Sequence, residues 1–143
     1  MWHVYVVEGR AYIPTVARTE AGFFLDVDPV AQAPLSDRTL LLKTFEETLA
    51  RGTPTVPTPP PGAFPKPVVL VPMRLRSWSA LMKKGDCVSV FPLKGGYEVI
   101  ASKTDTKGRW SDDPDSKITL KEDRWIEKFV DYVLKRCSAS YVG

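Results

Sequence analysis

Three largely apolar segments near the start of the chain, divided by short runs of turn residues, have a pattern that is typical of β-strands. They are WHVYVV, RAYIPTVA and GFFLDVDP, and they are separated by Gly9 and by the turn residues Glu20 to Gly22. All three are rich in aromatic and β-branched side chains, which favour extended structure. In the third segment apolar and polar positions alternate, which gives one apolar face and one increasingly polar face. The pattern predicts three successive strands in an antiparallel meander.

A helical pattern follows in DRTLLLKTFEETLARG. Leu41, Phe45 and Leu49 recur at helical spacing, Ser36 precedes the segment as a capping residue, and Gly52 can end it. This segment predicts the first main helix.

The middle of the chain predicts further short elements. PVVLV is an almost wholly apolar run of strand type, and WSALMKKG is typical of one or two helical turns that end at Gly85. CVSVFPL and YEVIASK read as two strands of a hairpin, because Gly95 and Gly96 between them can adopt the positive φ angles of a tight turn.

The last apolar pattern predicts the second main helix, in TLKEDRWIEKFVDYVLKRC. Thr119 and Glu122 have the spacing of a capping box, and Lys135 with Arg136 would suit the negative end of the helix. Five apolar residues fall on one face of this helix: Ile126, Phe129, Val130, Val133 and Cys137.

A proline-rich segment interrupts the chain before these later elements. Seven of the thirteen prolines lie between Pro54 and Pro67, in a stretch that also contains the apolar residues Val56 and Phe64. A flexible hinge would favour glycine, serine and charge, so we interpret residues 53–67 as an ordered polyproline crossover within one domain. The PxxP matches TPTVP and PTPPP leave open a second interpretation, a docking motif for a proline-binding module.

Size and composition agree with one domain over residues 1–143. Hydrophobic residues make up 43% of the 143 positions, which is enough to bury a core, and neither half holds a set of elements that would cover its own apolar faces. The predicted fold class is therefore α+β, with a mostly antiparallel sheet of about five to six strands and two main helices packed on it.

Charge, the N-terminal segment and the cysteine content bear on where in the cell the protein is expected. The net charge of +3 is modest, and it divides into about −3 over residues 1–50 and about +6 over the remainder. The opening MWHVYVVEGR fits neither a secretory signal nor a membrane span, since Glu8 breaks its apolar run. We expect a cytoplasmic protein without membrane contact, in which Cys87 and Cys137 are reduced thiols.

A basic and aromatic patch is the first candidate for partner binding. Arg74, Arg76 and Trp78 would share one face if the preceding strand continued, and Lys83 with Lys84 follows soon after. Such a group can hold phosphates and stack a base, and Arg with Trp is also favoured in protein interfaces. Plain packing with solvated charge is the third interpretation.

A second candidate lies in the polar segment of residues 104–117, which reads as an exposed loop. Trp110 is unusual in such a loop and either folds back on the core or anchors a partner. Asp112, Asp113 and Asp115 follow it and could complement a basic partner, but they lack the spacing of an EF-hand calcium loop.

Enzyme signatures are absent, and we predict a protein that is not an enzyme and needs no metal or cofactor. There is no P-loop, GxGxxG, GxSxG or HExxH motif. His3 is the only histidine, and the sequence marks no nucleophile or orienting group beside it, so a structural or surface role is favoured. Asp26 and Asp28, two apart on a strand, could hold magnesium or act as an acid and base pair, or form a solvated strand end.

The segments AFPKPVVL and RSWSAL, together with the opening WHVYVVEGRAYIPTVARTEAGFF, resemble small bacterial immunity proteins. These are partners of toxins from contact-dependent and other interbacterial inhibition systems, and the likeness extends over most of the chain. The resemblance implies a stoichiometric cytoplasmic protein that plugs the active site of one toxin domain or clamps a neighbouring surface. It implies no catalytic or binding residue. Neutralisers of basic nucleases are often acidic, whereas this chain is slightly basic.

These observations order three functional hypotheses. The first is a toxin-neutralising module that binds through Trp110 and its aspartates, or through Arg74, Arg76 and Trp78. The alternative is a small nucleic-acid-binding protein that uses the patch at residues 74–84, whose binding would fall steeply with salt. The third is a metal-dependent enzyme centred on Asp26 and Asp28.

Overall fold

The computed structural model describes the backbone of residues 1–142 and the side chains up to Cys137. This part of the chain contains eight strands and four α-helices. The strands are β1 (Trp2–Val7), β2 (Arg10–Thr19), β3 (Phe24–Pro34), β4 (Thr55–Val56), β5 (Gly85–Leu93), β6 (Gly96–Thr104), β7 (Trp110–Asp112) and β8 (Ile118–Lys121). The helices are α1 (Arg38–Ala50), α2 (Leu70–Met73), α3 (Trp78–Lys84) and α4 (Trp125–Val142), and a 3₁₀ turn spans Pro114–Ser116.

All eight strands belong to one sheet, in the order β3-β2-β1-β5-β6-β7, with β8 paired to β6 and β4 to β2. Every pair is antiparallel except β2 with β4. The α+β class and the mostly antiparallel sheet are thus confirmed, whereas five to six strands and two helices were too few. The strands that the sequence pattern missed are β4, β7 and β8, which have only two to four residues each. Such short strands give too few alternating positions to detect.

Strand β1 is central, and it joins the two halves of the chain. It pairs with β2 on one side and with β5 on the other, so that Tyr5 lies opposite both Tyr12 and Cys87. Because β5 comes after the proline-rich segment, the sheet contains strands from both sides of that segment. Successive residues of β1 point to opposite faces of the sheet.

The first face of the sheet carries the main core, beneath α1 and α4. Phe45 of α1 and Phe129 of α4 are fully buried, with ring centroids 4.9 Å apart. They pack over a layer of small apolar strand residues: Val4, Val6, Ala11, Ile13, Val88, Val90, Val99 and Ala101. The predicted apolar stripe of the last helix is confirmed, since four of its five residues are buried and Ile126 is partly buried.

A smaller buried cluster lies on the second face, beneath α2 and α3. Its fully buried members from the helical side are Val69, Leu70 and Leu81, and they pack against Tyr5 and Tyr12. The two short helices cover only part of this face. The rest is approached by the proline-rich segment and by the β2–β3 hairpin.

The run PVVLV is not a strand, contrary to the sequence prediction. It forms a turn that leads into α2, and Val69, Leu70 and Met73 are buried at helical spacing. Pro72 is compatible with this single turn, because the first N–H groups of a helix have no partner within the helix. An apolar run of this length does not by itself distinguish a buried strand from a buried helical turn.

Both main helices begin differently from the prediction. Helix α1 is capped by Asp37 rather than Ser36, with the Asp37 carboxylate accepting a 3.0 Å hydrogen bond from the Leu40 amide. Thr119 lies in β8, so the proposed capping box with Glu122 does not form, and α4 starts at Trp125. Helix α4 also continues to Val142, and the basic pair at residues 135–136 therefore lies before its last turn.

The hairpin between β5 and β6 is confirmed, but its two glycines have different roles. Gly95 has a φ of 80°, which is the left-handed conformation expected for the turn. Gly96 does not have a positive φ. A Cβ atom at Gly96 would instead collide with the backbone carbonyl oxygen of Leu120 in β8, so this glycine permits the close approach of two strands.

The proline-rich segment is tied to the β2–β3 hairpin along its first part. The amides of Arg18 and Glu20 donate hydrogen bonds to the carbonyl oxygens of Pro54 and Val56, at 2.8 and 3.0 Å. Further along, the ring of Phe64 lies 5.8 Å from the ring of Phe23.

Within residues 1–142, none of the helices has the length and apolar character needed to cross a bilayer.

Candidate functional site: an aromatic and polar cluster on the second face

Three aromatic rings from distant parts of the chain meet on the second face of the sheet. Trp78 starts α3, Trp110 starts β7, and their ring centroids lie 5.5 Å apart in an edge-to-face arrangement. Tyr5 of β1 contacts both, with centroids 5.9 Å from Trp78 and 6.2 Å from Trp110. We call Tyr5, Trp78 and Trp110 the aromatic cluster. Aromatic pairs in such geometry stabilise a contact beyond their buried area.

Local structure holds each tryptophan in place. The Ser77 hydroxyl caps α3 by accepting a 3.1 Å hydrogen bond from the Ala80 amide, which fixes the direction in which the helix begins. The backbone amide of Trp110 lies 3.2 Å from the sulfur of Met82 in α3. Trp110 therefore folds back toward the sheet and is partly buried, while Trp78 remains 36% exposed.

A chain of polar contacts lies beside the aromatic cluster. The Tyr5 hydroxyl donates a 2.6 Å hydrogen bond to one oxygen of Asp26, and the other oxygen lies 3.6 Å from Nε2 of His3. On its far side, Nδ1 of His3 lies 2.9 Å from the hydroxyl of Ser89. We call His3, Tyr5, Asp26 and Ser89 the polar network.

The β2–β3 hairpin brings Asp26 to this position. Asp26 is in β3, and in the sheet order β2 separates β3 from β1. A contact from Asp26 to Tyr5 thus requires the far half of the hairpin to curl over the second face. The pairing of β2 with β3 shifts register between Pro14 and Thr15, where Asp28 and Pro29 of β3 have no strand-pairing partner in β2, and such irregularities increase the local twist and bending of a hairpin.

Burial determines the protonation behaviour of the network. Desolvation lowers the pKa of His3, an effect that the nearby Asp26 opposes and the N-terminal amine reinforces. Desolvation also raises the pKa of Tyr5 well above its usual range, with the Asp26 charge adding to the effect. In the neighbouring position of β5, burial raises the pKa of the Cys87 thiol to about 12. At neutral pH the network therefore holds a neutral imidazole, a neutral phenol and one carboxyl group.

A cavity of about 270 Å³ opens between the polar network and the proline-rich segment. Its walls include Phe24, Leu25, Pro65, Pro67 and Trp78. His3 and Asp26 also line it, and Lys66 contributes a long side chain between the two prolines. Mostly apolar walls with a few convergent polar groups are typical of binding sites.

The contacts place Asp26, His3 and Ser89 in the order of a Ser-His-Asp triad. The 3.6 Å separation of Asp26 and His3 is longer than a hydrogen bond, however, and Ser89 is not part of the cavity wall. The geometry therefore presents the carboxylate and the imidazole to a ligand, but not the hydroxyl. This arrangement supports binding more directly than nucleophilic attack.

The two aspartates proposed as a metal or acid and base pair have different surroundings. Asp26 is mostly buried against Tyr5 and His3, whereas Asp28 is exposed. Among the side chains described up to Cys137, no three His, Cys, Asp or Glu residues are grouped closely enough to hold a metal ion.

The basic residues proposed with Trp78 do not share a strand face with it, because the strand does not continue. Arg74 ends α2 with a left-handed φ of 58° and, with Lys84, lines a separate cavity of about 350 Å³ that also contacts Arg10. Arg76 is exposed in the turn before α3, and Lys83 is exposed on α3 itself.

The three aspartates that follow Trp110 are also dispersed. Asp112 is exposed at the end of β7, and Asp113 accepts a 3.0 Å hydrogen bond from Arg136 of α4. That hydrogen bond is the main reason why the pKa of Asp113 lies below its usual value. Asp115 lines a cavity of about 700 Å³ that also contacts Arg136. One of the three thus ties the loop to α4, and they do not form one acidic surface around Trp110.

Sequence reasoning selected Trp78 and Trp110 separately, but it did not predict that they touch. It placed His3 and Tyr5 on one strand face, but it missed the contacts of Asp26 with both residues and the contact of His3 with Ser89. These contacts join residues that are 21 to 86 positions apart in sequence, and no local pattern encodes them.

Fold and site together define an α+β protein with an eight-stranded, mostly antiparallel sheet and a partly open aromatic cluster on one face. No protein-family model matches the sequence, and no curated protein matches it significantly. Among solved structures, the chain is similar to a Neisseria meningitidis protein of unknown function, with a TM-score of 0.64 and 17% sequence identity. The match covers 95% of this chain and 93% of that chain. Similarity at this level of identity shows a shared fold and carries no functional assignment.

Proposed function

We propose that this chain is an immunity-type inhibitor, which binds a cognate bacterial toxin domain in the cytoplasm and blocks its activity. The observation that carries the proposal is the meeting of Trp78 and Trp110 at a partly exposed surface beside a cavity. Tryptophan is enriched among the residues that dominate binding energy at protein interfaces. The resemblance of the sequence to immunity proteins supplies the class of partner.

The surroundings of the aromatic cluster support a protein partner. Phe24, 43% exposed, lines the same cavity as Trp78, and the paired rings of Phe23 and Phe64 are exposed as well. An exposed group of large apolar side chains is costly in water, and such groups mark interaction surfaces in soluble proteins. Fixed tryptophans lose little conformational entropy when a partner covers them, which favours tight binding.

Nucleic-acid binding is the alternative, because Arg76 and Lys83, which precede and follow Trp78 in the sequence, are exposed. The arrangement supports it less well. Arg74 and Lys84 line the other cavity, so the basic side chains do not form one groove that leads to the exposed ring. A phosphate backbone would need several of these contacts together.

The test is capture of the tagged protein with its bound partners from its source cells, first at low salt and then at high salt. The proposal expects a polypeptide at one-to-one stoichiometry that survives high salt. A domain of that polypeptide should arrest growth when it is expressed alone, and co-expression of this chain should restore growth. Nucleic acid that is lost at high salt, or a partner that is harmless when expressed alone, would contradict the proposal.

Point variants connect the activity to the aromatic cluster. Trp78→Ala and Trp110→Ala should each weaken toxin binding by about 2 kcal/mol or more, which is roughly 30-fold in Kd, if both are central anchors. Leu40→Ala is the matched control, because Leu40 is 40% exposed but lies on α1, which packs against the opposite face of the sheet. Calorimetric titration measures the three affinities. If all three variants bind the toxin with the same affinity, the aromatic cluster is not part of the interface.

A further inference from the structure

The carboxyl group of Asp26 has an unusual setting. Its side chain is only 16% exposed, and among the described ion pairs its single partner is His3. Desolvation lowers the pKa of His3, so this partner is neutral at neutral pH. The described hydrogen-bond partner of the Asp26 carboxyl group is the hydroxyl of Tyr5, which is neutral. A buried carboxylate without a cation is unfavourable, because neutral hydrogen bonds only partly replace its lost hydration.

The cavity places this carboxyl group opposite apolar and aromatic walls. Trp78 and Phe24 contribute aromatic rings, and Leu25 with the two prolines contributes aliphatic surface. Such walls suit the methylene stem of a long side chain, and an indole face attracts a cation. Arginine combines a stem of this kind with a planar head that pairs with carboxylates and stacks on aromatic rings.

We propose that the cavity receives an arginine side chain of the protein partner, whose guanidinium group pairs with Asp26 and packs against Trp78. This inference rests on the proposed function, and it identifies the chemistry that the partner presents to the aromatic surface. The arginine supplies the cation that Asp26 lacks, and its stem displaces water from the apolar walls. The contact is thus both an anchor and a specificity determinant.

Among the described residues that line the cavity, Lys66 is the one lysine, and the set contains no arginine. Lys66 is exposed and forms no ion pair with Asp26, since the only ion pair of Asp26 within the described side chains is with His3. Lysine is strongly hydrated and makes no planar contact, so it competes poorly with arginine for this position. Lys66→Ala should therefore leave arginine binding unchanged or strengthen it.

The direct test is an NMR titration with N-acetyl-arginine amide, followed through the indole signal of Trp78. Its neutral isostere, N-acetyl-citrulline amide, has nearly the same shape without the charge. We expect saturable shifts with the arginine compound, with a Kd of about millimolar order for so small a ligand. The citrulline compound should bind at least roughly tenfold more weakly. Equal binding of the two compounds, or no shift with either, would overturn the inference.

Matched variants assign the effect to Asp26. Asp26→Asn keeps the shape and leaves an oxygen to accept the Tyr5 hydrogen bond, and it should weaken arginine binding roughly tenfold or more. Asp28→Asn, which changes an exposed carboxylate two residues away, should not alter it. If thermal unfolding shows that Asp26→Asn is not folded, Trp78→Leu replaces it and should weaken binding by removing the stacking surface. An equal loss in Asp28→Asn would contradict the assignment.

Toxin binding separates this inference from the proposed function. If Trp78→Ala no longer binds the toxin while Asp26→Asn binds it with wild-type affinity, the aromatic cluster is part of the toxin interface but the arginine inference is wrong. If the arginine compound binds with the expected charge selectivity but no captured partner is toxic, the cavity chemistry stands and the immunity proposal fails. Loss of toxin binding in both variants supports both.

Discussion

His3 shows how the second face of the sheet controls the chemistry of single residues. Desolvation lowers the pKa of its imidazole, and the attraction of Asp26 recovers only part of the loss. The folded protein therefore holds His3 neutral at a pH at which the unfolded chain already binds a proton. The unfolding free energy must then fall as the pH drops through the unfolded pKa, near 6.5, toward the lower folded pKa.

The corresponding prediction concerns the pH dependence of stability. Urea unfolding of the wild type should show a lower unfolding free energy at about pH 5.5 than at about pH 7.5, and His3→Gln should reduce this slope. Glutamine cannot be protonated in this range and still offers a hydrogen bond to Ser89. The N-terminal amine, whose pKa is lowered by burial, is present in both proteins, so the difference between them isolates the histidine. Identical slopes for the two proteins would show that His3 does not contribute.

At the scale of single elements, long periodic patterns predicted well and short apolar ones did not. The apolar stripe that includes Leu41 and Phe45 correctly predicts α1, because residues that are buried on each of three turns recur with a clear helical period in the sequence. The run at residues 67–71 became a helical turn instead of a strand, since tertiary packing decides between the two when few positions are available. Strand β8 was assigned to a helix start because Thr119 and Glu122 have cap spacing by coincidence.

Gly96 allows a test of how two elements approach each other. Gly96→Ala would place a Cβ atom against the Leu120 carbonyl oxygen, so β6 and β8 would have to separate. We expect a loss of about 1–3 kcal/mol in the unfolding free energy, the range seen when extra atoms are forced into well-packed regions. Chemical denaturation measures it.

The neighbouring turn residue supplies the control for this variant. Gly95→Asn should cost much less, because asparagine tolerates a positive φ and no atom lies within 4 Å of a Cβ atom at Gly95. If both substitutions lower the unfolding free energy by the same amount, the close approach of β6 and β8 does not explain why a glycine occupies position 96.

The candidate site is a property of the whole molecule. Its parts come from β1, β3, the proline-rich segment, α3, β5 and β7, which lie on both sides of Gly62. The sequence could identify individual residues such as Trp110, because a large aromatic side chain in a polar loop is conspicuous. It could not predict that Asp26 would reach Tyr5, since this contact depends on the curl of a hairpin and on the order of strands in the finished sheet.

The central position of β1 leads to a prediction about folding. β1 is hydrogen-bonded to β2 from its own half of the chain and to β5 from the other half, and α1 and α4 cover the same face. A fragment of residues 1–61 would expose one edge of β1 together with half of the main core, and residues 62–143 would lack the central strand. We therefore expect neither fragment to unfold cooperatively in urea, in keeping with a single domain over residues 1–143.

Mixing the two fragments should restore the near-ultraviolet circular dichroism of the aromatic cluster, because Tyr5 comes from one fragment and both tryptophans of the cluster come from the other. The Trp78 and Trp110 rings would then regain their fixed orientation only when β1 is present. A cooperative transition in either fragment alone would mean that the proline-rich segment joins two domains. In that case Tyr5 and the two tryptophans would lie in different domains, and the aromatic cluster would be part of the interface between them.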